Sequence, residues 1–470
     1  MSDATNAAAP EPPARFPRTF WTANLTELFE RGAYYSMASF VVIYLGRLGL
    51  GDYWPSVLNG LLWTLVYFLP ILSGTIADQV GFRRSLLVAF VLLAGGYFLM
   101  GFPAWLGGAT LSPQVGSEVT ADAAAWLPLL AGILLIGLGG SVIKPCISGT
   151  VQKTAGKRAT LAFAIFYMVI NIGSLFGRGV SWYVRGQLGL PYIFAVAMGC
   201  SVVAFLVVTL LYQDPDRRRP ADAAAAPPKP RRSVGRILLD MVLVFRNPRF
   251  ALFLLVSSGF NFLYAQVYNV LPLYLKKVVE TNPAVDLYTM ANPLTIVLFQ
   301  LLVTRLFGRM KPIRSMVVGS LIIGVAMLIN VVPVLALGDL RASALDLLPI
   351  GSLFIVLTVS LIAFGELFTM ARTYEYIGAL APQGQEGLFL GYANLPMAIG
   401  SLLGGPVGAF IFNEIMCREA TRRPDGLLEL DPTWNSVGWI VLMGIGFLSA
   451  LAMFLYHRWL QRHPAAPAPA

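Results

Sequence analysis

"ELFERGAYY", Glu27 to Tyr35, sets two carboxylates and a guanidinium in the middle of a segment otherwise apolar enough to cross a membrane. Glu27, Glu30, Arg31 and Tyr34 recur at i, i+3, i+4 and i+7, so on a helix all four share one face. The rest of the chain says what kind of helix this is. Of 470 residues, 57% are hydrophobic and only 12% charged, with a mean hydropathy of +0.69. A soluble protein of that size carries about twice the charged fraction. The chain therefore reads as an all-α integral membrane protein, and charge inside one of its spans has to face either other charge or water.

Working outward from that first span, apolar stretches long enough for a bilayer core of about 30 Å are expected near 19–45, 55–77, 85–103, 126–150, 160–184, 191–212, 249–275, 288–307, 313–337, 348–371, 387–415 and 435–457. The first eighteen residues are polar and rich in Pro and Ala, with no signal-peptide pattern, so the first span is expected to direct insertion. With the N-terminus inside, the loops on that side hold 23 of the 34 Lys and Arg and the outer loops hold eight. That bias predicts both termini in the cytoplasm. It also accounts for the net charge of +10 without any nucleic acid partner. Three cations stay inside spans, Arg31, Lys144 and Arg178, together with three acids, Glu27, Glu30 and Glu366. Facing lipid unpaired, the six would cost roughly 15 to 21 kcal/mol. That matches or exceeds a typical folding free energy of about 5 to 15 kcal/mol.

The run "DPDRRRPADAAAAPPKPRRSVGR", Asp214 to Arg236, has no apolar periodicity and reads as a linker between two sets of six spans. The expected organisation is a cytoplasmic tail (1–18), a first six-helix bundle (19–212), a basic cytoplasmic linker (213–248), a second bundle (249–457) and a C-terminal tail (458–470). Basic turns of similar kind follow the second and eighth spans, "GTIADQVGFRR" from Gly74 and "RLFGRMKPIR" from Arg305, as in duplicated secondary transporters with a midplane site between halves. The first resembles the loop signature of the major facilitator superfamily through Gly74, Asp78, Gly81, Arg83 and Arg84. Asp78 is expected to pair with Arg83 or Arg84 and hold one conformation; the plainer reading is flank charge.

Three scattered cysteines and two histidines near the C-terminus exclude zinc, haem and disulfide frameworks as expectations. No catalytic constellation, appended signalling domain or obligate protein partner is evident, so a membrane enzyme or receptor is disfavoured. On the charged face of the first span two acids share one base, which leaves a carboxylate able to take up and release a proton. The alternative is an ion pair that only welds helices together.

"ELFERGAYYSM", from Glu27, resembles the ExxERFxYY signature of the proton-dependent oligopeptide transporters, within the major facilitator superfamily. "FYMVINIGSLFG", Phe166 to Gly177, resembles a second signature of that family, FYxxINxGS; "GGSVIKPCISG", from Gly139, and "GELFTMARTYEYIGALAP", from Gly365, are similar to its fourth- and tenth-span segments. The resemblance implies the superfamily fold, twelve helices as two six-helix bundles in a bacterial inner membrane, and import of di- and tripeptides driven by protons without a cofactor. It implies proton coupling at Glu27 and Glu30, and a hold on the peptide carboxylate by Arg31 and Lys144. It implies that Glu366 receives the amino terminus with help from Asn292, and that Tyr34, Tyr35, Tyr67 and Asn171 line the pocket. Against these stand packing roles for Asn171 beside the Gly173/Gly177 step and for Tyr67, an internal ion pair for Lys144, a buried neutral acid for Glu366 and a snorkelling Arg178. The chain departs from the family at Gly32, at Ala38 and an acid-free seventh span, at Met370, Ala371 and Arg372, and in an eleventh span without tryptophan. Those departures leave open another small zwitterion or anion, or drug efflux by antiport.

Overall fold

A computed structural model describes residues 15–38, 40–51, 54–112, 118–215, 235, 239, 243–281, 283–338, 340–344, 347–382 and 385–463. Each expected span coincides with helix in this structure. The first is α1 (Arg18–Met37) followed by α2 (Val41–Arg47). The second is α3 (Trp54–Phe68) and α4 (Pro70–Val80), bent by 45° where Pro70 lacks the N–H that would continue α3. α5 (Phe82–Trp105), α6 (Ala123–Ala155), α7 (Ala159–Gln187) and α8 (Ile193–Leu210) complete the first half.

In the second half the seventh span starts as α9 (Pro248–Tyr264), passes a 3-10 turn at Ala265–Val267 and α10 (Val270–Tyr274), and ends in a π turn. α11 (Val285–Thr289) leads into α12 (Ala291–Phe307), then α13 (Pro312–Leu328) and α14 (Ile350–Leu380). The eleventh span is α15 (Glu386–Gly391), a 3-10 turn at Tyr392–Asn394 and α16 (Leu395–Phe410); the last is α17 (Pro432–Arg462). Two hairpins of two-residue strands, Ser343–Ala344 with Leu348–Pro349 and Thr421–Arg422 with Leu428–Glu429, sit in outer connections of an otherwise helical chain.

Among the described residues nine stretches are long and apolar enough to cross a membrane, ten with the bent pair, and one of the nine, Ala123–Gln187, contains both α6 and α7. Gly156, at φ +55°, turns the chain between them. α1 falls outside that set because Arg18, Glu27, Glu30 and Arg31 lower its hydropathy. Leucines such as Leu298, Leu402 and Leu448 stay exposed on the outer faces of their helices, as lipid-facing residues do.

Some boundaries differ from expectation. α14 runs nine residues past the expected end of its span at 371, so Arg372 and Glu375, outside the expected span, lie within a helix and are largely buried. α17 extends to Arg462, into what was expected to be tail. Most of the expected 213–248 linker, and residues 1–14 and 464–470 of the expected tails, lie outside the described residues.

α1 packs against α7 and α8, and α5 against α6, while α13 packs against α14 and α17, and α9 against α16 and α17. Between the halves α7 meets α12 and α14, and α4 and α6 meet α15. Since successive spans alternate in direction, the last turn of α4, the end of α6, the start of α7, the end of α14 and α15 all fall at the end of the molecule where α1 begins and α17 stops, called here the terminus-bearing end.

Candidate substrate and proton site

The charged face of α1 is seated by glycines of α7. A Cβ at Gly173 would meet the Leu28 carbonyl and the Arg31 side chain, and one at Gly177 would meet the Gly32 carbonyl, so the two backbones touch where side chains would hold them apart. Gly32, where the family signature has phenylalanine, faces Phe176, whose Cδ1 lies 3.1 Å from where a Cβ at Gly32 would stand.

Arg31 is 4% exposed and grips Glu30 with two bonds, Nη2 to Oε1 at 2.6 Å and Nε to Oε2. Its Nε is also 3.5 Å from Oε1 of Glu27, outside hydrogen-bond geometry. Glu27 is fully buried and neither of its oxygens accepts a hydrogen bond. Of the two acids, the one left without donors is therefore Glu27.

An aromatic wall extends this face. Tyr34 and Tyr35 meet edge to face at 5.2 Å, Tyr34 meets Trp63 at 6.0 Å, and Trp63 stacks on Tyr67 at 5.3 Å. The Arg31 guanidinium lies 4.9 Å from the Tyr34 ring and the Lys144 ammonium 6.0 Å from the Tyr67 ring. Lys144, beside Pro145 in α6, donates to Oδ1 of Asn394 at 3.5 Å, a contact between the halves. The buried Nδ2 of Asn394 has no acceptor. Asn394 was not singled out from the sequence, although an amide inside the apolar eleventh span was the available signal.

On the opposite wall Glu366 of α14 is 1% exposed. Its Oε2 accepts from the Tyr167 hydroxyl at 2.5 Å and its Oε1 from Nδ2 of Asn292. Tyr167 belongs to α7 and Asn292 to α12, so the carboxylate sits on the seam between the halves. Asn171 donates to the Tyr167 carbonyl at 2.9 Å, which spends one of its donors on its own helix. Tyr167 is the tyrosine of the FYxxINxGS match in "FYMVINIGSLFG", which was the available signal for it. The Arg178 guanidinium lies 5.4 Å from the Tyr35 ring, so α7, which carries Tyr167, borders the aromatic wall of α1.

The terminus-bearing end is shut. Gly74 of α4 and Gly387 of α15 approach so closely that a Cβ on either would strike the other's carbonyl. Asp78 accepts the Gly387 and Leu388 N–H groups, each at 3.0 Å, and so caps α15 across the interface. This corrects the expected pairing with Arg83 or Arg84: Arg83 donates to the Thr209 carbonyl at 2.7 Å and Arg84 is exposed. The helix N-terminus offers Asp78 two oriented donors, and the Arg83 guanidinium is spent on the Thr209 carbonyl. Gly81, at φ +96°, turns the chain from α4 into α5. Arg372 adds a second clamp, donating to Glu375 at 2.7 Å, to Thr160 of α7 at 2.9 Å and to the Gly308 carbonyl at 2.8 Å, while Thr160 also donates to Glu375 at 2.7 Å. Lys153 faces Glu386 at 3.8 Å, and Tyr374 packs on Phe163 and Phe166.

Two helical halves, a buried charged site on their seam and closure at one end define a multi-pass membrane transporter. The chain belongs to the Major Facilitator Superfamily, whose sequence profile matches residues 67–338. It is similar to the dipeptide and tripeptide permease B of Shigella dysenteriae serotype 1, 26% identical over 98% of this chain and 99% of that protein. In fold it is similar to a POT family transporter solved with a thioalcohol-conjugated peptide, at TM-score 0.66, 17% identity and coverage of 94% and 97%. A POT family transporter solved with 5-aminolevulinic acid aligns at TM-score 0.63, 17% identity and the same coverage.

Proposed function

We propose that this protein is a proton-coupled symporter that imports di- and tripeptides by alternating access. The observation that carries the reading is Glu366 of the second half, held on the seam by Tyr167 and Asn292, together with Arg31 and Lys144 of the first half, set against the rings of Tyr34 and Tyr67. A zwitterion placed there puts its ammonium on Glu366 and its carboxylate on the cations, and so draws the two halves together. The permease relative and the peptide-bound POT structure support the same substrate class. Tyr34, Tyr35, Tyr67 and Asn171 complete the pocket wall in this reading.

Glu27 is the group we assign to the proton. Protonated, it drops its attraction for Arg31 and Lys144 and frees both for the substrate carboxylate; ionised, it competes with that carboxylate for them. Glu30, locked on Arg31, keeps the guanidinium in place. The role is transport without catalysis, with the proton as coupling ion and no cofactor. The location is a bacterial inner membrane with both termini cytoplasmic, and the lipid bilayer surrounds the helices.

A second reading, transport of another small amino-carboxylate zwitterion, draws on the 5-aminolevulinic acid complex and on an eleventh span without tryptophan. Uptake into proteoliposomes decides. One proton moving with a neutral zwitterion through 100 mV supplies about 2.3 kcal/mol, enough for about fifty-fold accumulation before any pH gradient. Dipeptide uptake should depolarise the vesicles; accumulation that persists with both gradients collapsed overturns proton coupling, and uptake of amino acids but no dipeptide favours the second reading.

A further inference from the structure

Arg178 is not used by the mechanism above. Tyr167, Asn171, Ser174 and Arg178 recur at i, i+4, i+7 and i+11, one stripe of α7, and the first of them holds Glu366. Side chains on a helix lean toward its N-terminus, so Arg178 reaches back down this stripe toward the site. Its guanidinium arrives 5.4 Å from the ring of Tyr35. On the seventh span the hydroxyls of Tyr264 and Tyr268 lie 3.4 Å apart, and Tyr268 is 54% exposed. Arg178 makes no ion pair among the described residues, its buried Nε has no acceptor, and the seventh span facing this region holds no acid. A snorkelling arginine would instead point outward, away from Tyr35.

Charge balance points the same way. The site's three cations, Arg31, Lys144 and Arg178, match its three carboxylates, Glu27, Glu30 and Glu366. Once Glu27 takes its proton the cavity is left with one positive charge in excess, and a neutral zwitterion does not remove it. A substrate with two carboxylates and one ammonium does.

We propose that Arg178 is a second carboxylate-binding residue, which selects peptides bearing an acidic side chain. The proposal rests on the peptide reading and deepens it. The ammonium goes to Glu366, the main-chain carboxylate to Arg31 and Lys144, and the side-chain carboxylate to Arg178 against Tyr35, where a planar guanidinium offers two parallel N–H bonds.

The test is competition against labelled dialanine exchange in proteoliposomes holding the full chain, with dialanine, alanyl-glutamate and alanyl-lysine as competitors. Alanyl-glutamate should compete about 10- to 100-fold better than dialanine, the range of one charge-assisted contact. Arg178→Gln should bring that ratio to within about two-fold, Arg178→Lys should keep part of it, and Arg178→Glu should move the advantage to alanyl-lysine. That inversion is one a folding defect cannot produce. Equal competition by acidic and neutral dipeptides in the wild type, or an acidic advantage that survives Arg178→Gln, overturns the proposal. If no dipeptide competes or is carried, the peptide reading fails instead. Arg178 is then judged by thermal stabilisation with glutamate against alanine: a glutamate advantage lost in Arg178→Gln supports it, and no advantage overturns it.

Discussion

Replacing Asp78 by alanine should open the terminus-bearing end of the molecule. In the closed state its carboxylate accepts two N–H groups of α15, from Gly387 and Leu388, each at 3.0 Å. Hydrogen bonds to a charged group contribute about 1.5 to 3 kcal/mol each, and the dipole of so short a helix adds little. Asp78 is partly exposed, so water can take over the freed donors, and the net loss is placed at the lower end, about 3 kcal/mol for the pair. Asp78 and α15 belong to different halves, so the bonds exist only while this end is shut. The whole loss therefore falls on one conformer. At 1.4 kcal/mol per decade the closed population should fall about 100-fold relative to the open one. The assay is a distance distribution between spin labels at Gln79→Cys and Leu380→Cys, one on each half, with Cys146, Cys200 and Cys417 replaced by alanine. Wild type should give one short distance and the Asp78→Ala protein a longer one. A distribution unmoved by the mutation would refute the view that this cap holds the closed state, and would leave Arg372 and the Gly74/Gly387 approach as its supports.

Glu27→Gln should abolish gradient-driven uptake yet spare exchange, since exchange does not require the proton to leave; driven accumulation equal to wild type would move the coupling to Glu30. N-acetylation of a dipeptide should cost about 10- to 100-fold in competition against wild type but much less against Glu366→Gln, because both changes delete one contact; equal competition by free and acetylated peptide would remove Glu366 from amino-terminus binding. Tyr167→Phe, which takes one donor from Glu366, should weaken dipeptide binding by about ten-fold, measured by the same competition. A periplasm-active reporter fused at Ala470 should be silent, and strong activity there would reverse the proposed topology.

Much of this was legible along the chain because its physics is local. Hydropathy located the spans, and helical periodicity put Glu27, Glu30, Arg31 and Tyr34 on one face without any knowledge of a neighbour. Arg372 shows the limit: beside an apolar run a basic residue counts as a cytoplasmic flank, yet here its N–H groups are met by Thr160, Glu375 and carbonyls at the end of α12. Arg83 and Arg84 show the same limit: nearness in sequence to Asp78 predicts a pairing, and the fold gives Asp78 to Gly387 and Leu388.

Membrane residence, an all-helical architecture in two halves and the identity of the charges that must be hidden followed from the sequence by itself, because lipid imposes its cost on each segment separately. Which acid is free and which end is shut did not. Glu27 and Glu30 both lie within one turn of Arg31, and only their packed rotamers give the guanidinium to Glu30. The decisive contacts join residues 74, 199, 250 and 309 positions apart, Asn292 and Tyr167 to Glu366, Lys144 to Asn394, and Asp78 to Gly387. No periodicity reaches across such separations; they exist because helices from two halves are pressed together, and the tertiary structure alone chooses which faces meet.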